Sequence, residues 1–129
     1  MKYHLIIPSL WAVGMHHWGG RQLSVGSGYL IEREMNNIYD KYAVVVKDPL
    51  VTRAYIMKSQ AAVIARLMDM SVSDTWRLKP KEDGVVLNRR KGTQQRCNIG
   101  CVITSKDLLK KATEYLDHFS YTYEVKELK

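Results

Sequence analysis

The sequence has few cysteines and no long apolar run. Cys97 and Cys101, the two cysteines, stand four residues apart in "CNIGCVIT". On a strand this spacing is about 13 Å, far beyond the reach of a disulfide bond. We therefore expect two reduced, buried thiols in an intracellular protein. No segment reaches the ~20 apolar residues that span a bilayer, so we expect no membrane association.

The amino terminus, "MKYHLIIPSLWAVG", has an apolar core that Pro8 and Ser9 interrupt. It lacks the small-residue cleavage pattern of a secretory signal peptide. The sequence predicts a strand here.

Familiar catalytic motifs are also missing. The chain has no Ser–His–Asp spacing, no glycine motif that cradles phosphate and no HExxH pattern. His16 and His17 are adjacent, and adjacent side chains on a strand point to opposite faces, so they do not easily share a metal. A site that recruits Cys97, Cys101 and a distant histidine is the metal-binding alternative, which elemental analysis would test. We predict a protein that is not an enzyme and that has no cofactor and no metal.

Positive charge is abundant. The 129 residues suit one domain, and they carry a formal charge of +7 with a pI near 9.5. This balance favours polyanionic partners, nucleic acid before acidic membrane. Residues 77–96 hold seven basic and two acidic side chains. Within them, "NRRKGTQQR" is either a solvated hairpin loop or a segment that follows a phosphate backbone, with Arg89, Arg90 and Lys91 as candidate phosphate contacts.

Apolar periodicity predicts two helices, at about 59–70 and 105–117. In the first, an apolar stripe follows Ser59 as N-cap; in the second, Thr104 and Asp107 resemble a capping box. The stripes consist of Ala61, Ile64, Ala65 and Met68, and of Leu109, Ala112 and Leu116.

Extended segments surround these helices. They are predicted at 11–18 (Trp11, Val13 and Met15 on one face), 28–33, 42–47 (buried on both faces), 52–57, 75–80, 84–90, 97–104 and 121–126. This order of elements predicts a small α+β domain over residues 1–129, built on a curled, mostly antiparallel sheet.

The segment "EREMNNIYDKYAVVV" places an aromatic ring beside a carboxylate just before an apolar strand. Asn36-Asn37 supplies a turn, and Tyr39-Asp40 is what that turn presents. With Trp18 and Tyr55 near other turns, such rings are either partly buried rim residues or stacking platforms for unpaired bases. Composition and periodicity thus indicate a candidate single-strand binder.

Three blocks, "AVGMHHWGG", "EREMNNIYDKYAVVV" and "AYIMKSQAAVIARLMD", resemble the HIRAN domain in order and spacing over residues 11–70. The resemblance implies a barrel similar to a modified OB fold. HIRAN domains occur alone or fused to nucleases or to Swi/Snf-type fork-remodelling translocases. A larger helicase or nuclease that acts in DNA repair at the replication fork is therefore a candidate context, with the nucleus as candidate location. We expect a monomer.

The resemblance also implies roles for particular residues. The 3′ end of single-stranded DNA is the implied partner, with its terminal base stacked on Tyr39 and its free hydroxyl bound by Asp40. Asn37 would shape the loop and Lys58 would contact a phosphate. The family's basic-aromatic pair falls on His16 and His17, followed by Trp18. The alternative is a HIRAN-fold protein-interaction domain that does not bind DNA ends.

The chain departs from the family pattern at several positions. Ile38 and Met35 replace prolines, which predicts a less rigid turn, and Ala54 replaces a common glycine. His16 stands where an arginine is frequent, and His17 where a second stacking tyrosine is found. No equivalent of a further aromatic residue is evident near Gln95.

Overall fold

The computed structural model describes residues 1–15, 22–88 and 92–129. Four strands, a helix, two strands, a helix and a last strand follow one another over these residues, in the α+β order that the sequence predicts. The elements are β1 (Lys2–Val13), β2 (Tyr29–Arg33), β3 (Val44–Asp48), β4 (Val51–Ile56), α1 (Lys58–Asp69), β5 (Arg77–Asn88), β6 (Gly92–Ile103), α2 (Lys106–His118) and β7 (Glu124–Leu128).

The strands form a closed antiparallel barrel. Their order is β4-β3-β2-β5-β6-β1-β7, and an additional pairing of β4 with β1 closes the first six strands into a ring. The closing ladder is short, with Ala12 opposite Ile56 and Val13 opposite Tyr55. Strand β7 extends the sheet beside the amino-terminal half of β1. The predicted curled antiparallel barrel is confirmed.

A bulge in β1 decides which of its residues face the core. The register of β1 against β6 shifts between Ile7 and Leu10, and Ser9 within the shift has φ 63°. Leu5 and Ile7 are buried before the bulge, and Leu10 and Ala12 after it. Without the shift, strict alternation would turn Leu10 and Ala12 to the opposite face.

The strand predicted at 11–18 ends earlier than expected. Trp11 and Val13 do share a face, but it is the outer face of the barrel, and both are half-buried. Gly14, with φ 78°, follows the last strand residue and turns the chain. Met15 is buried beyond the strand's end.

Other predicted boundaries also move. Strand β3 begins at Val44 instead of residue 42, because Lys41 and Tyr42 occupy a turn in which the Ala43 N–H donates to the Asp40 carbonyl. The three valines 44–46 are buried, as the continuous apolar run predicts. Two segments predicted separately, at 75–80 and 84–90, contribute residues 77–80 and 84–88 to one strand, β5, since a register shift between Pro80 and Val85 lets its pairing with β6 continue; residues 89–90 lie outside the described part of the chain.

The predicted N-cap of the first helix is wrong. Helix α1 begins at Lys58 with Met57 as N-cap, and no side chain caps it. The Met57 carbonyl accepts from the N–H groups of Gln60 and Ala61, which places Ser59 inside the first turn. The predicted stripe is buried at Ala61, Ile64 and Ala65; Leu67 completes it, whereas Met68 is half-buried.

In the second helix the cap lies one residue later than predicted. The Ser105 hydroxyl, not that of Thr104, accepts from the Leu108 N–H at 3.4 Å. Ala112 and Leu116 are buried. The Tyr115 hydroxyl donates to the Val63 carbonyl of α1 at 2.8 Å, so the two helices contact each other.

The two cysteines are buried free thiols, as the sequence predicts. Both lie on the inward face of β6, four residues apart. Burial raises the pKa of each thiol to about 12, so neither is ionised at neutral pH. They serve as small apolar residues of the core.

Gln95 joins the barrel to the segment that precedes β2. It is a fully buried polar side chain in a core that is otherwise apolar over the described residues. Its Oε1 accepts from the Leu23 N–H at 2.7 Å, and its Nε2 donates to the Leu23 carbonyl at 3.0 Å. The side chain thus satisfies both backbone groups of a residue that has no strand partner.

Replacing Gln95 by Leu should destabilise the fold, because it leaves the buried Leu23 N–H and carbonyl without partners. A stranded group costs about 1–3 kcal/mol, so we expect a loss of about 2 kcal/mol or more in the free energy of unfolding in urea. The half-buried neighbour Gln94 is the control, and Gln94→Leu should change this quantity by about 0.5 kcal/mol at most. Equal effects of the two substitutions would contradict this role of Gln95.

Candidate nucleic-acid interface

The connection between β2 and β3, residues 34–43 and here called the site loop, contains two turns. In the first, the Asn37 N–H donates to the Glu34 carbonyl at 3.2 Å, and in the second the Ala43 N–H donates to the Asp40 carbonyl at 3.1 Å. The Glu34 N–H donates to the Ala43 carbonyl at 3.0 Å and closes the base. The backbone of the site loop is therefore tied at both ends of each turn.

The Asn37 side chain fixes the conformation between the two turns. Its Oδ1 accepts from the N–H groups of Tyr39 at 2.8 Å and Asp40 at 2.9 Å, and its Nδ2 donates to Glu34 Oε1 at 2.9 Å. The expected Asn36-Asn37 turn is thus refined: Asn36 occupies a central turn position, whereas Asn37 acts through its side chain. These bonds hold the loop without a proline at position 38, and the less rigid turn expected from Ile38 stays a prediction.

Held in this way, the loop directs two side chains outward and one inward. Ile38 is 87% exposed and Tyr39 is 88% exposed. Asp40 is half-buried, and its Oδ1 accepts from the Tyr42 N–H at 2.9 Å. The described residues give its Oδ2 no hydrogen-bond partner.

A surface pocket of about 400 Å³ lies beside the site loop. It brings together five of the predicted contact residues from two separate parts of the chain, and residues 13–14 add a third part to its lining. Its lining consists of Val13, Gly14, Asn37, Tyr39, Asp40, Ala43, Tyr55, Ile56 and Lys58. The pairing of Val13 with Tyr55 in the closing ladder places the end of β1 against β4 here.

Glu34 supports this pocket from behind, and the sequence analysis did not single it out. Both of its carboxylate oxygens accept from the Tyr55 hydroxyl at 3.0 Å, and Oε1 also accepts from Asn37. Burial, and then the bond and charge of Glu34, raise the pKa of Tyr55. Tyr55 therefore remains a neutral donor, and Glu34 couples its position to that of Asn37.

Lys58 is the basic residue of the pocket lining. It is exposed at the first position of α1, and no acidic residue occupies the first helical turn. Because no side chain caps this helix, the first-turn N–H groups and the helix dipole add positive potential at the same point. Helix N-termini of this kind bind anions.

Two cationic side chains, Lys41 and Arg66, lie close to the Tyr42 ring on the flank of the site loop. The Arg66 guanidinium lies 4.9 Å and the Lys41 ammonium 5.0 Å from the ring centroid, and Arg66 also donates to the Tyr42 hydroxyl at 3.3 Å. This bond and the positive charges lower the pKa of Tyr42. The spacing of these residues in the sequence gave no signal of the cluster, since α1 supplies Arg66 from a distance of 24 positions.

Six of the predicted contact residues lie outside the described part of the chain. They are His16, His17 and Trp18, and Arg89, Arg90 and Lys91. Among the described residues, no group of three or more His, Cys, Asp or Glu side chains could hold a metal ion. Over the same residues, no helix is long and apolar enough to cross a membrane.

Comparison with known proteins identifies the fold. No family model matches the chain, and no curated protein matches it in sequence. The crystal structure of the HIRAN domain of human HLTF is similar to it, with a TM-score of 0.70 and 16% identity over 94% of this chain and 96% of that chain. A protein from Lactobacillus plantarum is similar with a TM-score of 0.53 and 23% identity, over 81% of this chain and 100% of that chain. The chain therefore has the fold of a HIRAN domain, as the resemblance in residues 11–70 predicts.

Proposed function

We propose that this chain is a non-enzymatic module that binds single-stranded DNA and prefers a free 3′-hydroxyl end. The terminal base stacks on Tyr39, Asp40 accepts a hydrogen bond from the hydroxyl, and Lys58 contacts a phosphate. The observation that carries the proposal is the pocket that places an exposed ring, a carboxylate with an unpartnered oxygen among the described residues, and a lysine side by side. The HIRAN fold and the charge of +7 support it.

Asp40 gives the pocket its selectivity for a chain end. A carboxylate near a phosphate is unfavourable, by about 1 kcal/mol in water and about 4 kcal/mol at an effective dielectric of 20 for charges 4 Å apart. A terminal hydroxyl is instead a donor that the carboxylate accepts. An internal nucleotide or a 3′-phosphate offers no such donor at this position. The preference for a 3′-hydroxyl end therefore comes partly from the weaker binding of internal nucleotides and 3′-phosphates beside Asp40.

Tyr39 supplies affinity without reading sequence. Stacking of one base on an aromatic side chain contributes about 1–3 kcal/mol, and every base has a flat face. Because the ring is 88% exposed in the absence of a ligand, a base gains this contact without displacing a protein neighbour. The free energy gained by stacking on Tyr39 and the repulsion between Asp40 and a 3′-phosphate are of similar size. A 3′-phosphate therefore cancels most of the stacking gain.

Asp40→Asn should abolish the preference for a 3′-hydroxyl over a 3′-phosphate. The amide oxygen can still accept from the Tyr42 N–H, whereas the second oxygen becomes an NH2 group that donates, and the negative charge is lost. Fluorescence anisotropy with two oligonucleotides that differ in their 3′ group measures the preference, which we expect to be about tenfold or more in the natural protein. Asp74→Asn, the same change at an exposed carboxylate outside the pocket, should retain it. Equal affinity of the unmodified protein for both oligonucleotides would sink the proposal.

Tyr39→Ala should weaken binding about tenfold or more, as expected from the loss of one stacked base. Tyr39→Phe should bind like the natural protein, because it keeps the ring. The adjacent Ile38 is equally exposed but does not line the pocket, so Ile38→Ala is the control. The three variants should unfold at the same temperature. If Ile38→Ala and Tyr39→Ala reduce affinity equally, stacking on Tyr39 is not the source of binding.

Asn37→Ala should weaken binding several-fold by releasing the site loop. It removes two bonds to the backbone and one to Glu34, each contributing about 1 kcal/mol. Amide hydrogen exchange at Tyr39 and Asp40 should become faster in this variant, which separates loosening of the loop from loss of a direct contact. In Asn36→Ala, the matched change one position earlier, exchange should stay slow; unchanged exchange in Asn37→Ala would refute the positioning role.

A further inference from the structure

The outer face of β1, β5 and β6 carries basic and aromatic side chains that the proposed end-binding pocket does not use. This set is here called the outer strip. On this face Trp11 pairs with Arg96, Lys79 with Asn98, and Arg77 with Gly100. These strand residues point outward because their neighbours Leu10, Leu78, Cys97 and Ile99 are buried. The outer strip is defined by Trp11, Arg77, Lys79, Arg96, Asn98 and Gly100.

One end of the outer strip is a cavity of about 270 Å³. Its floor lies at Gly100, between Ile6 and Val102, and its rim carries Arg77 and Lys79. A Cβ atom at Gly100 would come within 3.0 Å of His4 Nε2 and 3.2 Å of the Leu5 carbonyl oxygen. Glycine at this position therefore leaves room for the His4 imidazole in the lining of the cavity.

The electrostatic surroundings of this cavity are positive. Burial, followed by the charges of Lys79 and Lys126, lowers the pKa of His4 in its lining. The strand segments 2–13, 77–81 and 94–103 contain no acidic residue. Strand β7 adds Lys126 opposite His4, Glu124 opposite Ile6 and Glu127 opposite Tyr3, which is a net charge of −1 at the margin. Arg77 and Lys79 are exposed and dominate the rim.

At the middle of the outer strip, a cation lies over an aromatic ring. The Arg96 guanidinium is 4.9 Å from the centroid of Trp11. Planar guanidinium and indole groups are surfaces on which unpaired bases stack. This pair lies between the Gly100 cavity and the pocket of the site loop.

The outer strip continues into the proposed end-binding pocket. Val13, two residues beyond Trp11 on the same face, lines that pocket, and Ile6 lines the cavity at the other end. Ile6 and Val13 are seven positions apart on β1, a distance of about 23 Å. This length suits a site near the lower end of the about 4–16 nucleotides that one OB-type fold covers.

We propose that the outer strip binds the internal nucleotides of the same single strand whose 3′ end occupies the pocket. Arg77 and Lys79 contact phosphates, a base stacks on the Trp11–Arg96 pair, and a further base or sugar lies in the cavity that His4 and Gly100 line. Single-stranded nucleic acid is favoured over an acidic peptide because it supplies flat rings for these surfaces as well as charge. This inference rests on the proposed function and assigns the path of the strand.

The test compares a trinucleotide with a dodecanucleotide, both ending in a 3′-hydroxyl, on the full chain. The longer strand should bind tighter, and Arg77→Gln combined with Lys79→Gln should remove most of that gain while leaving trinucleotide affinity unchanged. The slope of log affinity against log salt should fall by about 0.7 for each lost phosphate contact, hence about 1.4. Trp11→Ala should weaken only the dodecanucleotide, about tenfold.

The control double variant is Lys106→Gln with Lys111→Gln, which removes the same charge from exposed positions on α2. Equal losses in the two double variants would overturn the outer strip, because only net charge would then matter. In NMR spectra the Gly100 amide should shift with the dodecanucleotide and not with the trinucleotide. No such shift, or equal competition by polyglutamate, would also overturn it.

The same measurements separate the two proposals. Tyr39→Ala should weaken both oligonucleotides by the same factor, whereas the changes in the outer strip affect only the longer one. If the unmodified protein binds 3′-hydroxyl and 3′-phosphate ends equally while the outer-strip variants still lose the dodecanucleotide, end recognition fails and the outer strip stands. If the 3′-hydroxyl preference holds and the gain in affinity from trinucleotide to dodecanucleotide is the same in all variants, the outer-strip proposal is wrong and the proposed function stands.

Discussion

The short ladder between β1 and β4 is the constraint on which the site depends. Only two residue pairs close the barrel there, and the Met57 N–H extends the contact by donating to the Trp11 carbonyl at 2.9 Å. This closure brings the end of β1, the start of α1 and the site loop around one pocket. The bulge at Ser9 makes it geometrically feasible, because β1 must leave β7 and bend toward β4 within one strand.

The pocket combines attraction and repulsion for a polyanion. Lys58 and the uncapped start of α1 provide positive potential, whereas Glu34 and Asp40 provide negative charge close by. Glu34 is occupied by hydrogen bonds from Tyr55 and Asn37. Its charge is thus partly compensated by donors, while Asp40 keeps an oxygen toward the pocket. A pocket so nearly balanced cannot hold DNA by charge alone, which is why stacking at Tyr39 and additional cations outside the pocket carry weight in the proposed mechanism.

Sequence patterns predicted the parts of the fold that local periodicity determines. The apolar stripes located both helices to within a residue or two, and the valine run 44–46 indicated a strand buried on both faces. Features that depend on distant partners were missed. Gln95 is polar yet buried because Leu23 offers it two backbone groups. Strand β5 continues past Gly84 because its residues on both sides of the register shift pair with β6. Likewise, Tyr39, Asp40 and Lys58 were predictable as candidates from their motif, but Glu34 acquires its role only through Tyr55, 21 positions away.

The site loop has an isoleucine, Ile38, directly before Tyr39, and side-chain hydrogen bonds hold its backbone without a proline. A well-placed proline stabilises a loop by about 0.4–1 kcal/mol through the unfolded chain. The bonds from Asn37 to Tyr39 and Asp40 contribute about 1 kcal/mol each, which is at least as much as such a proline would add. Because these bonds end on the backbone of the two residues that present the ring and the carboxylate, they fix what the proline would have fixed only indirectly. The asparagine, more than the residue before the tyrosine, therefore determines whether this loop can present its ligand groups.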